Sequence, residues 1–389
     1  MSKNAFKQLD VSDEVLRALN DMGITEPTTI QEKTIPLMMD GHDIIAIAPT
    51  GTGKTIAFGI PMLEYIDMQD DRVQEVVLVP TRELAMQIHQ ELRSLAKYIK
   101  NMRIALVYGG QSMKRQIIQL KRSPQIVVAT PGRLLDLEHR GVLSLQAVHT
   151  MVLDEADEML KMGFVKDVTK ILDKTPKDRQ LVMYSATTNQ DVMTISWKYQ
   201  FAPSEIVVEA VKEDRPKIHQ YLFKCKRNEK MDRLLYLIDT DRYRRMMIFV
   251  NTKFMAQRVG LQLRKLGYQV ESLHGNISQS QRTAIMNNYK KGKFPILVST
   301  DVAARGIDVY DVDAVINYDI PNENEYYLHR IGRTGRAKRT GSSFTMMTFQ
   351  ESVRMDEILR YIDEKPEELY FNKVGILCRK DGTSFFEKV

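Results

Sequence analysis

The sequence is poor in cysteine, and that shortage excludes two classes of protein. Only two of its 389 residues are cysteines, Cys225 and Cys378, and they stand far apart. This spacing fits neither a disulfide scaffold nor a zinc site and favours a reducing compartment, so we expect a cytoplasmic protein. The seven histidines form no His-x-x-x-His or Cys/His group. A metal ion held by protein side chains alone is therefore not expected.

Long apolar runs are also missing. No segment approaches the roughly 18 consecutive apolar residues that suggest a membrane-spanning helix, and the first ten residues, MSKNAFKQLD, do not resemble a signal peptide. The chain is 43% hydrophobic and 27% charged, which is the composition of a soluble globular protein. Its length indicates about two domains. We expect a monomer with no membrane partner.

Positive charge is concentrated in the second half of the chain. Residues 215–389 contain 31 Lys and Arg against 21 Asp and Glu, whereas residues 1–214 contain 25 against 29. A basic half is typical of a protein with a polyanionic partner such as nucleic acid, although it also fits a solvated basic face.

Short apolar runs separated by helix-like segments recur along the chain, and they predict buried parallel strands. In the first half the runs are IIAIA, VVLVP, IALVYGG, IVVAT, MVLDEAD, LVMYSAT and EIVVEA; in the second half they are QYLFKC, MMIFVN, QVESLHG, PILVST, AVINYD and SFTMMT. The pattern predicts an α/β fold with two tandem doubly wound parallel-sheet domains, at residues 1–208 and 218–365. The charged stretch 209–217 is the expected linker, and 366–389 is expected to be a short tail of unknown role.

The segment DIIAIAPTGTGKT combines an apolar strand, a glycine-rich loop and the start of a helix. This context is the one that a phosphate-binding P-loop requires, although Ala48 replaces the first glycine of the strict pattern. Backbone N–H groups of such a loop surround phosphate oxygens, while Lys54 pairs with the β and γ phosphates and Thr55 holds Mg²⁺. The alternative is a plain turn after a strand.

The run MVLDEAD places two acids at the end of another predicted strand. Ends of parallel strands face the ligand crevice, so Asp154 is the candidate Mg²⁺ ligand and Glu155 the candidate base that orients the attacking water. Surface charges at a strand end are the alternative. The pairing with the P-loop favours the functional interpretation.

With these motifs in place, the chain resembles the DEAD-box ATP-dependent RNA helicases. DEAD at 154–157 is similar to the motif that names the family, and the other family motifs follow in order from about Phe6 to about residue 349. They include PTTIQ at 27–31, SAT at 185–187, PTREL at 80–84, TPGR at 130–133, IFVN at 248–251, STDVAARGID at 299–308 and HRIGRTGR at 329–336. One departure is Ile24, where the family usually has Phe. The resemblance implies that both domains are RecA-like.

The resemblance also implies roles for individual residues. In the ATP site, Gln31 is expected to read the adenine edge and Phe6 to stack on the ring, Glu155 is catalytic with Lys54, and Arg333 and Arg336 reach the γ-phosphate as arginine fingers. The residues implied to bind ATP are Phe6, Gln31, Thr50, Gly51, Thr52, Gly53, Lys54, Thr55, Asp154 and Asp308, with Mg²⁺ on Thr55 and Asp154. The residues implied to couple ATP to RNA are Ser185, Thr187, Asp157 and His329.

RNA is the implied substrate, as a single strand or a short duplex gripped by its backbone. The implied contacts are Thr81, Arg82, Gly109, Gly110, Thr130, Gly132, Arg133, Gln279, Arg282 and Thr300. Ribonucleoprotein or ribosome-assembly complexes are possible partners, and the sequence does not identify the RNA or the pathway. Taken alone, Arg330, Arg333 and Arg336 fit either a basic surface turn or guanidinium groups converging on phosphate.

Three functions remain open from the sequence. The first is an RNA helicase that uses RNA-stimulated ATP hydrolysis to close two domains on a single strand, with local, non-processive unwinding. The second is a DNA translocase on the same plan, and the third is an RNA clamp that closes on ATP without turnover. Trp197 is expected to pack in the core or against the linker rather than to stack on bases.

Overall fold

The computed structural model describes residues 5–49, 51–208, 217–240, 242–304, 312–335 and 340–386, without the side chains of Gln279, Val302 and Glu325. The chain divides into two compact units, Met1–Lys212 and Glu213–Val389, and each is built around its own sheet. Each apolar run that was predicted to be a strand coincides with a strand of these sheets, which confirms the predicted α/β fold class.

The first unit contains a seven-stranded sheet. Its strands are β1 (Ile44–Ile47), β2 (Glu75–Leu78), β3 (Ile104–Val107), β4 (Ile126–Ala129), β5 (Thr150–Leu153), β6 (Gln180–Ser185) and β7 (Ser204–Val207). They lie in the order β3-β4-β2-β5-β6-β1-β7, and every neighbouring pair is parallel. Because parallel strands all end at the same edge of a sheet, the loops that follow them are brought together.

Helices connect these strands. In the first unit the structure describes α1 (Asp13–Asp21), α2 (Thr29–Met39), α3 (Lys54–Tyr65), α4 (Arg82–Leu95), α5 (Met113–Leu120), α6 (Pro131–His139), α7 (Ala156–Met159), α8 (Val165–Asp173) and α9 (Gln190–Tyr199), with 3₁₀ turns at Ala5–Leu9 and Ala96–Tyr98 and a π-helical turn at Leu160–Phe164.

The first sheet is buried on both faces, and its sequence reads as continuous apolar runs for that reason. Val77 of β2 pairs in register with Val128 of β4, and both belong to the core on one face. Their neighbours Val76 and Val127 also pair and belong to the core on the other face. Alternation along each strand thus supplies both cores with apolar side chains.

The second unit contains an eight-stranded sheet. Its strands are β8 (Ile218–Lys224), β9 (Met246–Val250), β10 (Val270–Leu273), β11 (Ile296–Thr300), β12 (Ala314–Asn317), β13 (Gly341–Met347), β14 (Glu367–Phe371) and β15 (Leu377–Arg379), in the order β10-β11-β9-β12-β13-β8-β14-β15. The pairs are parallel except β14–β15. Its described helices are α10 (Lys230–Ile238), α11 (Lys253–Lys265), α12 (Gln279–Lys290), α13 (Asp301–Ala304), α14 (Asn324–Ile331) and α15 (Ser352–Ile362).

The segment expected to be a C-terminal tail contributes β14 and β15 to this sheet. β14 pairs with β8, and aromatic rings fix the segment in place: Phe371 lies 5.2 Å from Phe223, and Phe385 lies 4.6 Å from Tyr221 between ring centroids. The guanidinium of Arg233 sits 4.1 Å above the Phe371 ring. The sequence did not predict these strands.

Trp197 was predicted to pack in the core or against the linker, and the structure contradicts core packing. Its side chain is 75% exposed near the end of α9. Within the described part of the chain, no helix combines the length and the apolar character needed to cross a bilayer.

Candidate active site

The loop between β1 and α3 has the backbone geometry of a phosphate cradle. Gly51 and Gly53 have φ of 83° and 89°, in the left-handed region that glycine adopts without penalty. A Cβ at Gly53 would lie 2.4 Å from Gln31 Nε2, so a side chain there would displace the Gln31 amide as well as strain the backbone. α3 begins at Lys54, which directs the positive end of the helix at the loop. The predicted strand, loop and helix are confirmed.

The start of α2 holds this loop from the side. The Thr28 hydroxyl donates to the carbonyl oxygen of Thr52 at 2.8 Å, and Gln31 Nε2 donates to the carbonyl oxygen of Gly53 at 3.0 Å. Gln31 Oε1 in turn accepts from the backbone N–H of Thr28 at 2.9 Å. Sequence reasoning missed the contact of Thr28, because the two segments lie 24 residues apart.

The residues predicted to bind adenine are buried. Phe6 is fully enclosed in the first unit's core, and Gln31 is 2% exposed, so an adenine contact requires the chain around them to open. The hydrogen bonds above use one amide donor and one acceptor lone pair of Gln31, which leaves one of each. A donor and an acceptor side by side match the N7 and N6–H₂ groups of adenine but not the N7 and O6 acceptors of guanine.

Lys54, at the start of α3, and Asp154, directly after β5, approach each other. Lys54 Nζ lies 3.9 Å from Asp154 Oδ1 and donates to the carbonyl oxygen of Ala48 at 3.4 Å, and both side chains are buried. Burial raises the pKa of the Asp154 carboxyl, while the positive charge of Lys54 opposes that shift. A cation placed at this carboxyl would be stabilised.

Glu155 has a strained backbone. Its φ of 49° and ψ of 50° place it in the left-handed region, which a residue with a side chain adopts at a cost of roughly 1–3 kcal/mol. Its N–H donates to Asp154 Oδ1 at 3.0 Å, and α7 begins at the next residue.

Hydrogen bonds connect the DEAD segment to the end of β6. The Thr187 hydroxyl donates to Asp157 Oδ2 at 2.9 Å, and the N–H of Ala186 approaches Asp157 Oδ1 at 3.4 Å. The Ser185 hydroxyl donates to the carbonyl oxygen of Thr187 at 2.7 Å. The structure thus brings together three of the four residues predicted to couple ATP to RNA. Ser185 also reaches the P-loop, because its carbonyl oxygen accepts from Ala48 N–H at 3.0 Å.

The residues present fit a nucleotide with its metal better than a metal alone. Within the described ranges, no group of three His, Cys, Asp or Glu side chains can hold an ion. Asp154, directly after β5, supplies a carboxylate, and Thr55, in the first turn of α3, supplies a hydroxyl. Mg²⁺ prefers few protein ligands together with phosphate oxygens. The glycine cradle, the buried lysine and the buried carboxylate all fit such a ligand.

The predicted RNA-contacting segments of the first unit also follow strands. Thr81, Gly109 and Thr130 lie just beyond the ends of β2, β3 and β4, which are adjacent in the sheet. Thr81 begins α4 and caps it, accepting from the N–H of Leu84 at 3.2 Å. The structure places all seven of these residues at one stretch of the carboxyl edge; they are Thr81, Arg82, Gly109, Gly110, Thr130, Gly132 and Arg133.

Two arginines of this stretch contact the backbone of neighbouring loops. A Cβ at Gly110 would lie 2.2 Å from Arg82 Nη1, so the guanidinium packs directly on the glycine backbone. Gly110 has φ of 82°. Arg133 Nη1 donates to the carbonyl oxygen of Gln111 at 3.3 Å. Because Gly109 and Gly110 have no side chains, the Arg82 guanidinium has space at this surface.

The second unit positions fewer of the predicted residues. Thr300 ends β11, and Arg282 in α12 donates through Nη2 to the carbonyl oxygen of Ala303 at 2.7 Å. His329 lies in the last turn of α14, and its carbonyl oxygen accepts from Arg333 Nε at 3.2 Å. Thr50, Asp308 and Arg336 lie outside the described residues, as does the side chain of Gln279 and nearly all of the predicted linker.

Arg330 has a structural environment that the sequence did not identify. It is 1% exposed and forms ion pairs and hydrogen bonds inside the second unit, whereas Arg333 lies beyond the end of α14. The three arginines at spacing three therefore do not act as one surface group. The partners of Arg330 come from the ends of β9, β11 and β12.

A glycine cradle and a buried lysine after β1, with a buried carboxylate after β5 of the same parallel sheet, define a P-loop nucleotide-binding protein. The DEAD/DEAH box helicase family model matches residues 28–195, and the helicase conserved C-terminal domain model matches residues 229–338. The chain belongs to the DEAD-box family of ATP-dependent RNA helicases.

Similar proteins support this assignment. The chain is 42% identical to the DEAD-box ATP-dependent RNA helicase CshA of Geobacillus kaustophilus over 94% of this chain and 78% of that protein. It is 40% identical to ATP-dependent RNA helicase CshA of Limosilactobacillus reuteri over 98% of this chain and 80% of that one. Among solved structures, S. cerevisiae Dbp5 bound to RNA and ADP BeF3 matches with a TM-score of 0.85 and 31% identity, covering 94% of this chain and 96% of that chain.

Proposed function

We propose that the protein hydrolyses ATP in response to RNA and uses the cycle to close its two domains on a single strand. Lys54 binds the β and γ phosphates, and Thr55 and Asp154 hold Mg²⁺, which neutralises phosphate charge when bound. Glu155 orients the attacking water and accepts its proton. Gln31 and Phe6 receive the adenine after the surrounding segment opens.

The arginine fingers complete this site from the second domain. Arg333 and Arg336 neutralise charge that develops on the γ-phosphate, which requires the domains to close. RNA held by both domains favours the same closed state, so RNA and ATP each raise the affinity of the protein for the other. His329 and the bond between Thr187 and Asp157 take part in this coupling.

One observation carries the proposal: both sets of functional segments lie along one carboxyl edge of the first sheet. The ends of β1, β5 and β6 bear the P-loop, the DEAD segment and the SAT segment, and the ends of β3, β4 and β2 bear the RNA segments. β2 and β5 are direct neighbours, paired from Glu75–Thr150 to Leu78–Leu153. A rigid sheet thus connects the two sets of loops.

The residue types of the RNA segments also support a preference for RNA over DNA. Their glycine, threonine and arginine content suits phosphates and sugars more than base edges, so we expect binding that tolerates any sequence. A protein that holds a backbone distinguishes RNA from DNA through the 2′-OH or the sugar shape. Unwinding is local and non-processive, and the same closure remodels RNA–protein complexes.

The test is ATP turnover with matched single-stranded RNA and DNA, together with unwinding of duplexes of increasing length. We expect strong stimulation of ATP turnover by RNA and weak stimulation by DNA. Unwinding is expected to fail for duplexes longer than roughly one to two turns, because each further stacked base-pair step raises the free energy that one closure must supply by about 1.4 kcal/mol. Equal stimulation by DNA, or efficient opening of long duplexes, supports a translocase instead. RNA binding without turnover supports a clamp.

A further inference from the structure

A large cavity opens at the carboxyl edge of the second sheet. Its volume is about 1430 Å³, and its wall includes Lys224 at the end of β8, Asn251 after β9, Tyr318 after β12 and Thr348 after β13. This volume exceeds the roughly 300–1,000 Å³ of pockets for small ligands. A segment of a polymer fits the cavity better than a single small molecule does.

The rim of this cavity carries positive charge. Lys226, Arg227 and Arg258 are exposed there. Within the described ranges, none of these three side chains forms an ion pair or a hydrogen bond with another residue. Three solvated cations around one opening attract an anionic polymer.

The acids of the wall do not cancel this charge, because the wall has five cations and three acids: Lys224, Lys226, Arg227, Lys230 and Arg258 against Glu229, Asp319 and Glu351. Asp319 Oδ1 and Glu351 Oε2 lie 3.5 Å and 3.6 Å from the Nζ of buried Lys230. Glu229 accepts from the backbone N–H of Lys226 at 3.0 Å. Lys230 thus offsets part of the acidic charge from inside, and the remaining excess of cations leaves the wall positive overall.

Two phenylalanines stand exposed beside these cations. Phe254, in the first turn of α11, is 67% exposed, and Phe349, just after β13, is 83% exposed. Both line the cavity. Exposed rings next to guanidinium groups are the combination by which proteins bind single-stranded nucleic acid, with bases stacked on the rings and phosphates on the cations.

The cavity lies beside the proposed RNA path. β11 and β9 are neighbours, and Thr300, a predicted RNA contact, pairs in register with Val250. Asn251, on the wall of the cavity, directly follows the last residue of β9. An RNA strand that contacts Thr300 therefore reaches the cavity by crossing the spacing between two neighbouring β-strands, which is about 4.8 Å.

We propose that this cavity is an accessory site for single-stranded RNA, in which Phe254 and Phe349 stack on bases while Arg227 and Arg258 bind phosphates. The site extends the grip on RNA beyond the backbone contacts of the family motifs, and it rests on the proposed function. It favours unstructured RNA next to the segment held by the two domains.

The experiment compares a short and a long oligonucleotide. Fluorescence anisotropy measures the affinities for labelled RNAs of about six and about fifteen nucleotides in the presence of a non-hydrolysable ATP analogue. The unmodified protein is compared with F254A/F349A. We expect the double variant to bind the longer RNA more weakly, by at least about fivefold for each of the two rings removed. A loss of about fivefold is the lower end of the range for stacking one base on an aromatic ring. Affinity for the short RNA stays unchanged.

Three arms separate the explanations. V353A removes an exposed apolar side chain outside the cavity and leaves both affinities unchanged, and F349Y keeps the ring and retains tight binding. A fifteen-nucleotide RNA whose extension is abasic keeps the phosphates but not the bases, so the unmodified protein binds it as weakly as F254A/F349A binds the ordinary fifteen-nucleotide RNA. Equal binding of the longer RNA by F254A/F349A overturns the site and leaves the surface to a protein partner. Failure of the full chain to bind the short RNA contradicts the proposed function instead.

Discussion

Arg330 and Asp301 form a bidentate ion pair inside the second domain, with Nε–Oδ1 at 2.5 Å and Nη2–Oδ2 at 2.7 Å. The same guanidinium donates to Asn251 Oδ1 at 2.9 Å and to the carbonyl oxygen of Asp319 at 2.6 Å. One side chain from α14 thereby joins the ends of β9, β11 and β12. Arg330 positions these loops rather than binding phosphate.

Arg330→Met is expected to destabilise the second domain by about 3–5 kcal/mol, because it leaves Asp301 without its buried partner. Arg330→Lys does not restore stability, since an ammonium lacks the planar fork. Denaturant unfolding of the full chain measures the change. Lys380→Ala is the control: it removes an exposed ion pair with Glu368, which contributes about 0–1 kcal/mol. A change below about 1 kcal/mol for Arg330→Met contradicts this assignment.

The sequence predicted the interior strands because strands buried on both faces are continuous apolar runs. The same argument explains why β14 and β15 were missed. Glu367–Phe371 lies toward the edge of the sheet and buries only Leu369, so it is not a continuous apolar run. The P-loop was predictable because its chemistry is local. Arg330 was not, because its partners Asn251, Asp301 and Asp319 become neighbours only in the folded sheet.

Glu155→Gln is expected to reduce ATP hydrolysis by at least about 100-fold, as positioned bases contribute roughly 10²–10⁴-fold. The amide keeps the size of the side chain at this strained position but removes the charge that orients the water. ATP-dependent RNA binding persists, because the closed state is no longer released. Steady-state turnover and RNA affinity are the measurements. Turnover near that of the unmodified protein removes Glu155 from the catalytic role.

Thr187→Val is expected to separate hydrolysis from unwinding. The substitution keeps the shape of Thr187 but leaves a lone pair of buried Asp157 without its donor, a loss of about 1–3 kcal/mol. The loop after β6 then keeps only the longer bond from the Ala186 N–H to Asp157 and is held more weakly to the DEAD segment. Duplex opening per ATP hydrolysed falls, while ATP affinity is retained. Thr187→Ser keeps the hydroxyl and restores coupling; normal opening per ATP by Thr187→Val rules out this role.

Gln31→Ala is expected to reduce the preference for ATP over GTP. The amide retains one donor and one acceptor for the adenine edge, and a site built for such pairing rejects guanine because its groups go unpaired. Turnover of both nucleotides by the full chain is measured, with the exposed neighbour Lys33→Ala as control. Hydrolysis of GTP as fast as ATP by the unmodified protein excludes this role for Gln31.

Glu75, the first residue of the interior strand β2, carries a fully buried carboxyl. Among the described residues, neither of its oxygens has a hydrogen-bond partner, and the neighbouring Thr150 hydroxyl is hydrogen-bonded to His149 Nδ1 at 3.1 Å. Burial raises the pKa of Glu75 well above its ordinary value, and Thr150 opposes this shift only in part. The carboxyl is therefore protonated in the folded protein at a pH where it is ionised in the unfolded chain.

This shift predicts that the first domain loses stability as pH rises. Below about pH 4.3, the ordinary pKa of Glu, Glu75 is protonated in both the folded and the unfolded state, and its full contribution to the stability of the domain is present. Between that value and the raised pKa, only the unfolded chain releases its proton, so the free energy of unfolding falls by about 1.4 kcal/mol per pH unit. Glu75→Gln cannot ionise and removes this slope, which denaturant unfolding from pH 5 to pH 8 measures. Glu205→Gln, an exposed change on β7 of the same sheet, leaves the slope in place. An identical pH dependence for Glu75→Gln and the unmodified protein shows that Glu75 is ionised in the folded state.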